Sequence, residues 1–144
     1  MRRGLAVFIC ISSIFFAGCA TQGSARANKR ADEEAAKGAT LKWLKLLDDG
    51  DYEEAFEWEA MDFRISRTQK QFVRYMQGRR APFGRTTSRT FIGAALIHKL
   101  VGAPDGDYES IVFKTTFERK SVAAERVILV KQSEHWRVID YRAY

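Results

Sequence analysis

GAPDGDYESIVFKTTFERK, Gly102 to Lys120, is a strand set between two turns. Ala103-Pro104-Asp105-Gly106 has turn chemistry, because Pro presets φ while Asp and Gly suit a reversal. Then Glu109, Ile111, Phe113, Thr115 and Phe117 alternate with Ser110, Val112, Lys114 and Thr116. That period of two is the signature of a strand. Arg119-Lys120 marks the next reversal. A strand with a short reversal at each end pairs antiparallel with both chain neighbours.

Those neighbours are visible on either side. Downstream, Glu125 to Gln132 and Trp136 to Tyr144 read as two more strands. Upstream, Thr86 to Leu100 reads as a long strand, with Gly93-Ala94-Ala95 suited to a bend or bulge. Pro82 and Gly84 stop whatever helix comes before. Before them the period changes to that of helices. Ala36, Thr40, Trp43, Leu44 and Leu47 share one face of a first helix, with Asp32 as its expected N-cap and Gly50 as its stop. A second helix opens at Asp51-Tyr52-Glu53-Glu54 and carries Tyr52, Ala55, Phe56, Glu59 and Phe63 on one face. A third opens at Ser66-Arg67-Thr68-Gln69 and turns Gln69, Phe72, Val73 and Met76 inward.

The predicted fold class is therefore α+β: three N-terminal helices packed on a curved four-stranded antiparallel meander, in one domain spanning residues 32–144. The stretches LLDDGDYEEAFEWEAMDFR, APFG, GAPDGDYESIVFKTTFERK, Glu125 with Val127, and HWRVIDY follow one another in a known order. In these stretches the chain resembles the bacterial domain-of-unknown-function family 4019, small exported or lipid-anchored proteins, over residues 39–144. Phe56 stands where Trp is common in that family, and Asp140 where Gly is common before Tyr141. The resemblance implies no catalytic residues. Helices followed by a sheet also suggest, by analogy, the cystatin-like and nuclear-transport-factor-like cones, which host enzymes and binders alike.

The front of the chain reads as an export signal. Met1-Arg2-Arg3-Gly4 is cationic, and Leu5 to Phe16 is mostly apolar. Twelve helical residues rise about 18 Å, against about 30 Å of bilayer hydrocarbon, so the run is too short for a permanent span. Phe16-Ala17-Gly18-Cys19 resembles the bacterial lipoprotein signal. The resemblance implies cleavage before Cys19, a diacylglycerol on its thiol and an acylated amino terminus. Residues 1–18 are then the signal peptide and 19–31 a lipidated tether. Ala20 after the cysteine implies the outer membrane, facing the periplasm. The alternative is an ordinary secretory signal cut near Ala20. Arg26, Lys29 and Arg30 in the tether either rest on anionic head groups or are merely solvated.

Composition narrows the chemistry further. Cys10 leaves with the signal, so Cys19 would be the sole cysteine and no intrachain disulfide is expected. Cysteine-built metal sites are excluded, and His98 and His135 show no metal spacing; no metal or cofactor is expected. A net charge of +6 would ordinarily raise nucleic acid as a partner, but an exported domain does not meet it. No P-loop, nucleophile elbow or His-Glu-x-x-His is present.

Charge is segregated along the chain. Residues 32–62 carry a net −8 and residues 63–104 a net +9. Arg67, Lys70 and Arg74 line one stripe of the third helix. The stripe is either a face for an envelope protein or an anionic envelope polymer, or it is solvated, or it pairs with the acidic helices. Glu59, on an otherwise apolar face, is a candidate pocket carboxylate. It is either a general base with a raised pKa or the partner of Arg79, Arg80 or Arg89. Two function classes follow: a non-enzymatic, membrane-anchored binding module, or a small-ligand or enzymatic pocket that uses Glu59.

Overall fold

The structure, a computed structural model, describes residues 19–144. The signal segment 1–18 lies outside the described residues. Helix α1 (Cys19–Asp49) is followed by α2 (Tyr52–Glu57), α3 (Met61–Arg64), α4 (Gln69–Arg80) and a 3-10 turn (Ala81–Phe83). Strands β1 (Thr86–Ile97), β2 (Tyr108–Phe117), β3 (Lys120–Gln132) and β4 (His135–Ala143) then form one antiparallel meander in chain order. The α+β class and the four-stranded meander are as the alternation predicts.

The predicted face of α1 is the buried one: Ala36, Thr40, Trp43, Leu44 and Leu47 are all at most 2% exposed. They meet Ile111, Phe113, Val127, Leu129, Val138 and Tyr141 from one face of the sheet. The Trp43 indole donates to the Ala55 carbonyl at 3.0 Å and stands edge-on to Tyr141, so α1 is locked to both α2 and β4. Gly50 ends the helix in the left-handed region at φ 84°. The Asp51 and Gly50 amides donate back to Leu46 and Leu47, a Schellman closure.

Three helix expectations are corrected. Asp32 does not cap α1, because the helix already runs from Cys19; residues 23–32 form its solvent-exposed outer turns, not an extended strap. The second helix is broken after Glu57. Residues 58–60 extend instead beside β4, where Ala60 donates to the Val138 carbonyl and Val138 to that of Trp58, each at 2.9 Å. This parallel bridge covers the β4 edge and carries the chain round it. Ala60 and Phe63 then pack with Tyr108, Ile128 and Ile139 in a second, smaller cluster on the opposite face of the sheet. Finally, α4 is capped two residues later than expected. The Thr68 hydroxyl accepts from the Gln71 amide and the Gln71 side chain accepts from the Thr68 amide. Asp51 makes no side-chain cap.

Each strand pair carries a register shift. Ile92 is the extra residue in β1, one place before the predicted glycine. In β4 the shift falls at Ile139, beside Asp140, without any left-handed residue there. Bulges of this kind bend strands and increase their twist, so the sheet wraps the helices.

Candidate functional site

Four arginines of the basic segment pair with acids of the acidic segment. Arg64 lies 2.7 Å from Glu57, and Arg67 pairs with Glu59. Arg80, from the last turn of α4, and Arg89, from β1, both pair with Asp48 near the end of α1. The segregated charges along the sequence are therefore in large part complementary surfaces of one fold.

The centre of this pattern is Glu125, which is fully buried. Register explains its direction. Glu125 pairs with Phe113, and Val127 and Leu129 follow on the same helix-covered face of β3. Its Oε1 accepts from the Tyr141 hydroxyl at 2.7 Å and from Arg80 Nη1 at 3.4 Å. Its Oε2 accepts from the Thr115 hydroxyl at 2.6 Å and from Arg89 Nε at 2.8 Å. Arg89 also donates to Asp48 from both terminal nitrogens, and the Thr86 hydroxyl donates to Asp48 at 2.7 Å. Two acids and two arginines thus balance in charge, and they join α1, α4 and all four strands. Burial lowers the Arg89 pKa, but its hydrogen bonds to Asp48 and Glu125 and their negative charges outweigh it, and the group is held above its ordinary value. Burial, then the charge of Glu125, holds the Tyr141 hydroxyl well above its ordinary range. With all four acceptor positions engaged, Glu125 has no lone pair left for a substrate proton. It is a clasp.

Glu59 is buried as predicted, but its partner is Arg67, not Arg79, Arg80 or Arg89. Arg67 also lies over the rings of Phe72 and Tyr75. A cavity of about 140 Å³ beside this pair is walled by Trp43, Phe72, Met76 and Tyr141. Burial raises the Glu59 pKa, opposed by the hydrogen bond and charge of Arg67 and by Arg64.

The three cations do not share one helix stripe. Arg67 precedes α4 and is turned onto Glu59, while Lys70 and Arg74, on α4, are exposed and form no ion pair among the described residues. His98 pairs with Asp107 at 2.7 Å, both of them exposed. Cys19 is the first residue of α1. Among the described residues no cluster of three or more His, Cys, Asp or Glu is arranged to hold a metal ion, and no helix is long and apolar enough to cross a membrane.

Glu125 is not among the residues the sequence offers as candidates, yet its phase carries a signal: Glu125 stands in step with Val127 and Leu129, Arg89 with Phe91, and Thr115 with Phe113. Polar residues in core phase on three adjacent strands predict a shared buried network.

This is an α+β domain whose core is closed by a charge-balanced clasp. The chain belongs to the family described as "Protein of unknown function (DUF4019)", whose model matches residues 39–141. No curated protein and no solved structure matches it.

Proposed function

We propose that this protein is a lipid-anchored binding module of the bacterial envelope, held by acyl chains on Cys19 and placed at the outer membrane on the periplasmic side. The observation that carries the reading is the run from Arg2 to Cys19: a cationic start, a short apolar core, then Phe16-Ala17-Gly18-Cys19. Each buried methylene contributes about 0.8 kcal/mol, and one chain alone holds only marginally, so two or three are needed for a stable anchor.

The shape of the domain supports this reading. From Cys19 to Asp32 the chain is helical, which makes a stalk of about 20 Å at 1.5 Å per residue. A stalk holds a domain at a defined height, where a coil would let it wander. The domain above it follows the plan of a cystatin-like or nuclear-transport-factor-like cone, with helices laid along one face of a wrapped sheet. Its partner is an envelope protein or an anionic envelope polymer, with Lys70 and Arg74 as the exposed cations that meet it and Arg67 as the residue that fixes their helix. The rival reading, a catalytic pocket around Glu59, loses its chemical ground, because that carboxylate is engaged by a guanidinium.

The anchor is tested by growing cells with an alkyne-tagged fatty acid and comparing the wild type with Cys19→Ser. Label on the wild type alone supports acylation at that thiol; equal label on both rejects it. The partner is tested by cross-linking in intact cells with Lys70→Glu/Arg74→Glu beside the wild type. A retained protein that is insensitive to that change and to salt rejects the charged face.

A further inference from the structure

We propose that the cleft between the outer half of α1 and the Leu96–Glu109–Trp136 end of the sheet binds a primary ammonium carried on an apolar body. The inference deepens the binding-module reading and does not depend on the anchor.

The cleft is about 610 Å³ in volume and is lined by Lys29 and Asp32 of α1, Leu96 of β1, Glu109 of β2, Lys131 of β3 and Trp136 of β4, among others. Glu109 pairs with Leu96 on one side and Leu129 on the other, so it stands on the same helix-covered face as Glu125, four residues along the strand pair. It is 6% exposed, and its Oε2 is buried without a hydrogen-bond partner among the described residues. The Trp136 indole N–H, on the same face two strands away, is also buried and unpartnered among the described residues.

The contrast with the other buried acids gives this its weight. Glu125 receives four donors and Glu59 receives an arginine. Among the described residues Glu109 receives none. A buried acceptor left unmade costs stability, and folds keep such a cost where a ligand satisfies it.

The surroundings choose the ligand. Burial raises the Glu109 pKa, Glu33 and then Asp32 raise it further, and Lys29 opposes. Lys131 is already held by Asp32 and Glu134. An anion would meet Glu109, Glu33 and Asp32 as well as Lys29; an alcohol would leave a buried charge uncompensated. An ammonium brings the missing charge and three donors. Leu96 and the Trp136 ring give its apolar body a wall, and an oxygen on the ligand would satisfy the Trp136 N–H. Such an ammonium occurs on small free amines and on ethanolamine lipid head groups, and the stalk side of the domain is open to both.

The test is calorimetric titration of the purified full chain with n-hexylamine, n-hexanol and hexanoate, and with short-chain phosphatidylethanolamine beside phosphatidylcholine. Saturable binding of hexylamine over hexanol and hexanoate is expected. Glu109→Gln should weaken it about tenfold or more while melting no lower than the wild type. Leu96→Lys, at an exposed position directly across from Glu109, should supply an internal ammonium and abolish binding while keeping the fold. Preference for phosphatidylethanolamine over both hexylamine and phosphatidylcholine names the lipid source, and preference for hexylamine names a free amine. No heat with any amine, equal affinity for hexanoate, or an unchanged affinity in Glu109→Gln overturns the proposal. Loss of fatty-acid labelling at Cys19 alone would reject the anchor and leave the cleft standing.

Discussion

Arg89 Nε lies 2.8 Å from Glu125 Oε2 in a core that is otherwise largely hydrocarbon. The same guanidinium reaches Asp48 at 2.7 Å, so one strand side chain joins the end of α1 to the middle of the sheet. Breaking such a buried pair leaves a charge uncompensated. Glu125→Ala should therefore cost about 3–5 kcal/mol, read from urea unfolding. Tyr141→Phe removes one donor and should cost about 1 kcal/mol. A Glu125→Ala loss no larger than that of Tyr141→Phe would mean the clasp is not what closes the core.

Arg67→Ala removes the partner of Glu59. Glu59 then sits buried with less positive charge nearby, and its already raised pKa climbs further. A carboxyl that binds its proton more tightly in the folded state stabilises the fold at low pH. That contribution is lost as pH rises through the folded pKa. The variant should thus be destabilised by about 2–3 kcal/mol near pH 8 and by clearly less near pH 4.5. Thermal melts at the two values decide it; a penalty independent of pH would point to lost packing on Phe72 and Tyr75 instead.

Glu109 follows the same sign, since burial raises its pKa too. Glu109→Gln, with no proton to lose, should match the wild type in acid. Its melting temperature should exceed that of the wild type by a margin that grows as pH rises above the ordinary glutamate range. A margin that shrinks with pH would show that the ionised carboxylate is satisfied within the fold.

The capping box at Thr68 makes a local test. Thr68→Ala should cost about 1 kcal/mol in denaturant unfolding. The same change at Ser66, which bonds back to the Phe63 carbonyl, should leave the α4 cap intact, so far-ultraviolet dichroism of Ser66→Ala should keep the helix signal.

The β3–β4 hairpin holds strain that can be relieved. Ser133 and Glu134 both have positive φ, 48° and 65°, where L side chains crowd the backbone. Ser133→Asn with Glu134→Gly installs the pair this turn prefers and should stabilise the domain by about 1 kcal/mol. A lower melting temperature would assign more to the Lys131–Glu134 contact at 3.2 Å than an exposed pair ordinarily contributes.

By itself the sequence determined the local grammar. Alternation from Glu109 to Phe117 set a strand, the 3.6-residue spacing from Ala36 to Leu47 set the buried face of α1, and Gly50 set its end. These are legible because period and turn chemistry act between residues near one another in the chain. The signal proposed for the run to Cys19 rests on sequence alone. Only the tertiary structure decided the partners: Arg67 for Glu59, Asp48 for Arg80 and Arg89, and, among the described residues, none for Glu109. It also broke the second helix, because the amide of Ala60 and the carbonyl of Trp58 gained strand bonds at the β4 edge that helix geometry would have denied them. Ion pairs and edge bonds join positions up to 99 residues apart. Which charges meet depends on the register of four strands, and no local pattern carries that information.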